Sequence, residues 1–202
     1  GKIKFSENVR EEKTFDEIQK WVKNKVKRRL HIVTTHLGND AYVPGLDTVL
    51  TPKGYDGCPG LETYPCFQVT RLRKAMPVKA LIDKLAEMRT DIFMVSYQVF
   101  PKDPKAKKQI KELGKALKSC KKNSKHLIKV VFGLEKSDPS AHSLGYDFEF
   151  GEGFYPLEVA QEIIFQLAPR IEPKCKPRSP QKGVANKKRP LWKMFGKKAK
   201  EG

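Results

Sequence analysis

Apolar residues recur at two different spacings along this chain, and the switches between them outline its elements. In TFDEIQKWVKNKVKRRL, Thr14 followed three residues later by Glu17 is a reciprocal capping pattern, and Ile18, Trp21, Val22 and Val26 keep helical spacing. The pattern predicts a helix over about 15–29. LHIVTTH (30–36) is rich in β-branched residues and predicts a strand. From Gly38 to Tyr64 glycine, proline and aspartate punctuate the text, which predicts a long irregular excursion with one short strand at Thr48 to Leu50. CFQVTRL (66–72) alternates as a strand does. Pro77 then opens PVKALIDKLAEMR, whose Val78, Leu81, Ile82 and Leu85 form the stripe of an amphipathic helix.

DIFMVSYQVF (91–100) is apolar on both faces, as a covered central strand should be, and a lysine-rich helix over about 105–122 leads to another strand in HLIKVVFGL. Strand, helix and strand with short joints make a βαβ unit. YDFEF alternates, so Tyr146, Phe148 and Phe150 are expected to face the core and Asp147 and Glu149 to face out. GEGFYPLEVAQEIIFQLA turns into a last helix, and after Pro169 the periodicity stops. The expectation is an α/β fold: a single domain, residues 1–170, with a mixed, partly parallel sheet covered by amphipathic helices. Residues 171–202 read as a basic, Pro/Lys-rich flexible tail that cannot offset its own ordering entropy.

Charge adds a second layer to this outline. The chain of 202 residues carries 41 basic and 23 acidic side chains, a net +18. The excess is segregated: residues 102–130 hold 11 basic and 2 acidic groups, residues 131–169 hold 1 and 7, and residues 170–202 hold 12 and 2. On a helical wheel Lys108, Lys111, Lys115, Lys118 and Lys122 fall opposite Ile110, Leu113, Leu117 and Cys120 at about 100° per residue. Like charges at this spacing destabilise a helix, and only Glu112 interrupts the row. The row therefore reads as a phosphate-contacting ridge. Lysines without arginines suit phosphates better than base edges.

The tail KKRPLWKMFGKKAK extends that reading through Lys187, Lys188, Arg189, Trp192, Lys193, Lys197 and Lys198. With Lys174, Lys176 and Arg178 upstream, it also has the form of a bipartite import signal. The expected function is a module that binds DNA or RNA through phosphates. One alternative is a metal-dependent nuclease or phosphoesterase with Glu135, Asp147 and Glu149 as cation ligands. Another is an adaptor whose tail meets a partner protein or an anionic membrane.

Other chemistry is sparse. His31 and His36 are five apart and point to opposite faces of a strand, so they cannot share a metal without a bend. Cys58 and Cys66 lack the close pair usual at structural zinc. FGEGFYP has the outline of a phosphate cradle, but Glu149, Glu152 and Glu158 crowd it and a plain tight turn is the better reading. No nucleotide-binding, hydrolase or kinase motif is present, and the residues name no cofactor. Four scattered cysteines, no apolar leader and no apolar run near the roughly 20 residues of a membrane span point to an intracellular, reducing location, nuclear in a eukaryote and otherwise cytoplasmic.

Overall fold

Thr14 begins the first helix as its pattern requires: its hydroxyl accepts from the Glu17 amide, and the Glu17 carboxylate accepts from the Thr14 amide. In the computed structural model, which describes residues 14–37, 44–53, 58–73, 75–97, 104–119, 126–134, 138–151 and 153–171, this helix, α1, spans Phe15–Trp21. It widens into a π-helical turn, Val22–Val26, and stops at Lys27 in the left-handed region (φ 61°), two residues before the expected end. Strand β1 then occupies Leu30–His36.

The remaining elements alternate. Helix α2 (Pro44–Leu50) and a short 3₁₀ turn (Leu61–Thr63) precede β2 (Phe67–Arg71), α3 (Val78–Glu87) and β3 (Ile92–Ser96). They are followed by α4 (Pro104–Ser119), β4 (Ile128–Phe132), α5 (Ala141–Leu144), β5 (Phe148–Phe150) and α6 (Pro156–Ile171). The five strands form one sheet in the order β2-β1-β3-β4-β5. Among the described residues every strand pairing is parallel, where a mixed, partly parallel sheet was expected of this α/β domain.

Strand alternation builds two cores. Leu30, Ile32, Ile92, Met94, Val130 and Phe132 face α1, α2 and α6, which contribute Ile18, Leu46, Val49, Leu50 and Ile163. Val33, Phe93, Val95 and Val131 face α3, α4 and α5, which contribute Leu81, Leu85, Ile110, Leu113 and Leu144. A sheet buried on both faces explains why its central strands read as continuous apolar runs.

Two expectations are corrected here. Thr48 to Leu50 is helical, because Leu46, Val49 and Leu50 sit at the i, i+3, i+4 spacing that turns all three onto the core. The β-branched pair Thr48 and Val49 is overridden by that burial. Tyr146 does not share a face with Phe148 and Phe150, since it precedes the strand and joins the other core, where its hydroxyl donates to the Ile110 carbonyl at 3.2 Å.

A row of arginine and aspartate side chains fastens the amino ends of the strands. Asp91, just before β3, accepts from the two terminal guanidinium nitrogens of Arg28 and from the His31 amide of β1. Arg29 donates to the Phe67 carbonyl at the start of β2. Asp147, just before β5, accepts from the Lys129 amide of β4 and from Arg170 of α6, which also donates to the Leu127 carbonyl. His31 belongs to this edge: Nδ1 lies 3.0 Å from the Arg89 carbonyl and Nε2 lies 2.8 Å from the Thr70 hydroxyl.

Candidate functional site at the carboxyl edge

Polar side chains are rare inside this domain, and their placement is uneven. Among the described residues, Thr34, Thr35, His36, Thr90, Asp91, Ser96 and Glu162 are the buried polar or charged ones. Thr90 and Asp91 lie at the fastened amino edge. Thr34, Thr35, His36 and Ser96 all lie at the opposite end, in the last turns of β1 and β3. These two central strands are neighbours, with His36 in register with Ser96 and Thr34 with Met94.

The topology gives that location meaning. β2 lies on one side of β1 and β3, β4 and β5 follow on the other, so the order reverses between β1 and β3. In a doubly wound sheet such a switch point opens a crevice outside the carboxyl ends of the strands, and ligands bind there. Alternation puts Thr34, His36 and Ser96 on the face covered by α1, α2 and α6, above Ile32, Met94 and Phe132. The Thr34 hydroxyl is fully buried and has no hydrogen-bond partner among the described residues. A buried hydroxyl left unpartnered costs stability, about 1–3 kcal/mol. Its position at the carboxyl end of β1, beside the reversal of strand order, fits a polar ligand group. Thr35, on the opposite face, donates to the Arg73 carbonyl at 3.0 Å and so serves the backbone.

One wall of this region is held by Arg71, in register with Thr34 on β2. Its guanidinium binds both Glu62 carboxylate oxygens and approaches Asp47 of α2 at 3.5 Å. The two carboxylates raise the Arg71 pKa above its ordinary value, the hydrogen bond to Glu62 being the largest cause. Gly60 brings the following segment against the end of α2: its amide donates to the Thr51 carbonyl at 3.0 Å, and a β-carbon there would lie 2.1 Å from that oxygen.

The residues singled out from sequence are placed differently. Lys108, Lys111, Lys115 and Lys118 lie exposed on the outer face of α4, while Ile110, Leu113 and Leu117 are buried. Lys108 pairs at 3.8 Å with Glu112 across one helical turn, both well exposed, as on an ordinary solvated face. Lys122 and the tail residues Lys187, Lys188, Arg189, Trp192, Lys193, Lys197 and Lys198 lie outside the described residues. Asp147 is engaged by Arg170, and Glu149 accepts from the Ala141 amide at the start of α5. Glu135 lies outside the described residues. Among those described, no three His, Cys, Asp or Glu side chains are grouped as metal ligands, and no helix is long and apolar enough to cross a membrane.

Of the two described cysteines, Cys58 is exposed and Cys66 buried, and burial pushes the Cys66 thiol up to about 11. Alkylation of the native chain at pH 8, mapped by peptide mass spectrometry, is expected to modify Cys58 and spare Cys66. A thiol held above its ordinary value of 9.0 stabilises the fold below that value, and the contribution is lost as the pH rises through about 11. Equal modification of both cysteines at pH 8 would show that Cys66 is accessible.

Comparison with known proteins decides between the readings. No family model matches the chain. It is 30% identical over 154 residues to the lysine 5,6-aminomutase beta subunit of Fusobacterium nucleatum, an alignment covering 76% of this chain and 58% of that protein. Over 158 residues it is 25% identical to the lysine 5,6-aminomutase beta subunit of Acetoanaerobium sticklandii, covering 78% and 60%. The chain thus spans less than two thirds of the length of these relatives. Among solved structures it shares its fold with a cobalamin-binding protein from Desulfitobacterium hafniense DCB-2, with a TM-score of 0.51 and 18% identity over 75% of this chain and 67% of the other.

These findings overturn the expected nucleic-acid role, together with the nuclease, import-receptor and tail-adaptor alternatives: both relatives are bacterial and are named as aminomutase subunits. The physical reason is visible in the domain. Its buried polar groups gather at the switch point, and the lysine ridge lies on the outer face of α4. What the sequence reading missed was the change from apolar to polar at the ends of two strands, in IVTTH and FMVS. His36 drew attention only as a metal ligand.

Proposed function

We propose that this chain is the cobalamin-binding portion of a lysine 5,6-aminomutase-like beta subunit, working inside the cell with a catalytic partner subunit. The observation that carries the reading is the 30% identity over 154 residues to the F. nucleatum beta subunit. The reversal of strand order between β1 and β3, with buried polar groups at the carboxyl ends of both, supports it. Adenosylcobalamin, when bound, supplies radical chemistry that amino-acid side chains cannot generate.

The chain's own residues have three tasks in this reading. The Thr34 hydroxyl, the His36 imidazole and the Ser96 hydroxyl offer hydrogen bonds at the crevice to the polar groups of the cofactor. Met94 and Phe132 below them exclude water. Arg71, through Glu62 and Asp47, keeps α2 and the 3₁₀ turn in place beside Thr34.

The test is uptake of cobalamin by the full chain, followed by co-elution of corrinoid absorbance with protein in gel filtration. Equimolar uptake is expected. Thr34→Val keeps shape and burial and removes one hydroxyl, so it should weaken binding about threefold to tenfold with no loss of stability. A chain that elutes free of corrinoid would refute the proposal.

A further inference from the structure

We propose that the cleft between α4 and the segment leading into α5 is a second ligand site, specific for a small carboxylate with an aliphatic body. It lies on the face covered by α3, α4 and α5, across the sheet from Thr34, His36 and Ser96. The cleft has a volume of about 260 Å³. Tyr97, Ile110 and Leu144 supply its apolar lining, and Lys107, Lys111 and Asp138 its charges.

The charge arrangement selects the ligand. The Asp138 side chain is only 5% exposed and pairs with Lys107 at 3.3 Å, which neutralises both. Lys111, one helical turn further along α4, is exposed and makes no ion pair among the described residues. Among its described lining residues the cleft therefore presents two lysines against one aspartate, beside an apolar surface. A monocarboxylate neutralises the excess charge, a zwitterionic amino acid leaves it in place, and an alkylammonium ion of the same length adds to it. The groove between α3 and α4 offers no such selection, since its Lys79 and Asp83 balance each other over Val78 and Ile82.

The probes are sodium pentanoate and pentylammonium chloride at equal ionic strength, titrated into the full chain and followed by two-dimensional NMR. Saturable shifts at Tyr97, Ile110 and Leu144 are expected with pentanoate alone. Because Lys111 is exposed and makes no ion pair among the described residues, its removal leaves the fold intact, whereas loss of Lys107 would strand a buried carboxylate. Lys111→Ala should weaken pentanoate binding about fivefold, the effect of one solvent-exposed ion pair, and Lys111→Arg should restore it. Cobalamin uptake by Lys111→Ala should equal that of the unmodified chain. Absent shifts, equal response to both probes, unchanged affinity in Lys111→Ala, or loss of cobalamin uptake in that variant would each overturn the assignment of a separate carboxylate site.

Discussion

Replacing Gly114 by alanine is expected to destabilise the domain by about 3 kcal/mol, at the upper end of what forced overpacking costs. The sign is the informative part. Alanine in place of glycine inside a helix ordinarily stabilises by about 1 kcal/mol. Here a β-carbon at position 114 would lie 1.9 Å from the Leu144 carbonyl oxygen and 3.0 Å from its carbon, so it meets backbone that cannot rotate away. Nor can α5 retreat easily. Gly145 ends it in the left-handed region (φ 103°), and the buried Tyr146 hydroxyl is bonded to the Ile110 carbonyl of α4. Urea denaturation of Gly114→Ala beside Lys115→Ala, an exposed neighbour, separates contact from propensity. A lower midpoint for the first variant and an equal or higher one for the second is the expected result; stabilisation by Gly114→Ala would mean that α4 and α5 do not approach this closely.

Asp91→Ala should cost about as much, roughly 3 kcal/mol, by a different route. Asp91 is 4% exposed and accepts from the two terminal guanidinium nitrogens of Arg28 and from the His31 amide. The hydrogen bond to Asp91 is also the largest cause of the raised Arg28 pKa. Truncation leaves the His31 amide without its acceptor and the guanidinium without its counter-ion. Arg28 is 30% exposed on its side chain and can turn toward water, which keeps the loss below that of a fully buried pair. The double variant Arg28→Ala with Asp91→Ala should lose less than the sum of the two single losses, as coupled partners do. Strict additivity in denaturation midpoints would show that the two side chains act independently.

The fold was legible because its signals were local and redundant. β1 is read at both ends from LHIVTTH, α1 from its capping pair, and α4 from opposed apolar and lysine faces. Parallel pairing throughout was not legible, since periodicity reports how a strand is buried and not which strand lies beside it. The long loop hid α2 because a seven-residue helix stabilised by packing has little intrinsic signal of its own. The candidate site escaped for a related reason. Thr34, His36 and Ser96 are far apart or unremarkable in the chain, and only strand order brings the ends of β1 and β3 together at a reversal. Lysines, by contrast, are conspicuous in any sequence, and their number drew the functional reading to the exposed face of α4.

The arginine and aspartate row along the amino ends of the strands has a consequence for how this domain can change. With the start of each strand tied down on that side, cooperativity is secured far from the crevice. Substitutions at Thr34 or Ser96 should then alter what is bound without lowering the melting transition, and substitutions at Arg29 or Asp147 should do the reverse. Such a partition lets a scaffold be retuned for a new ligand without first being rescued from unfolding.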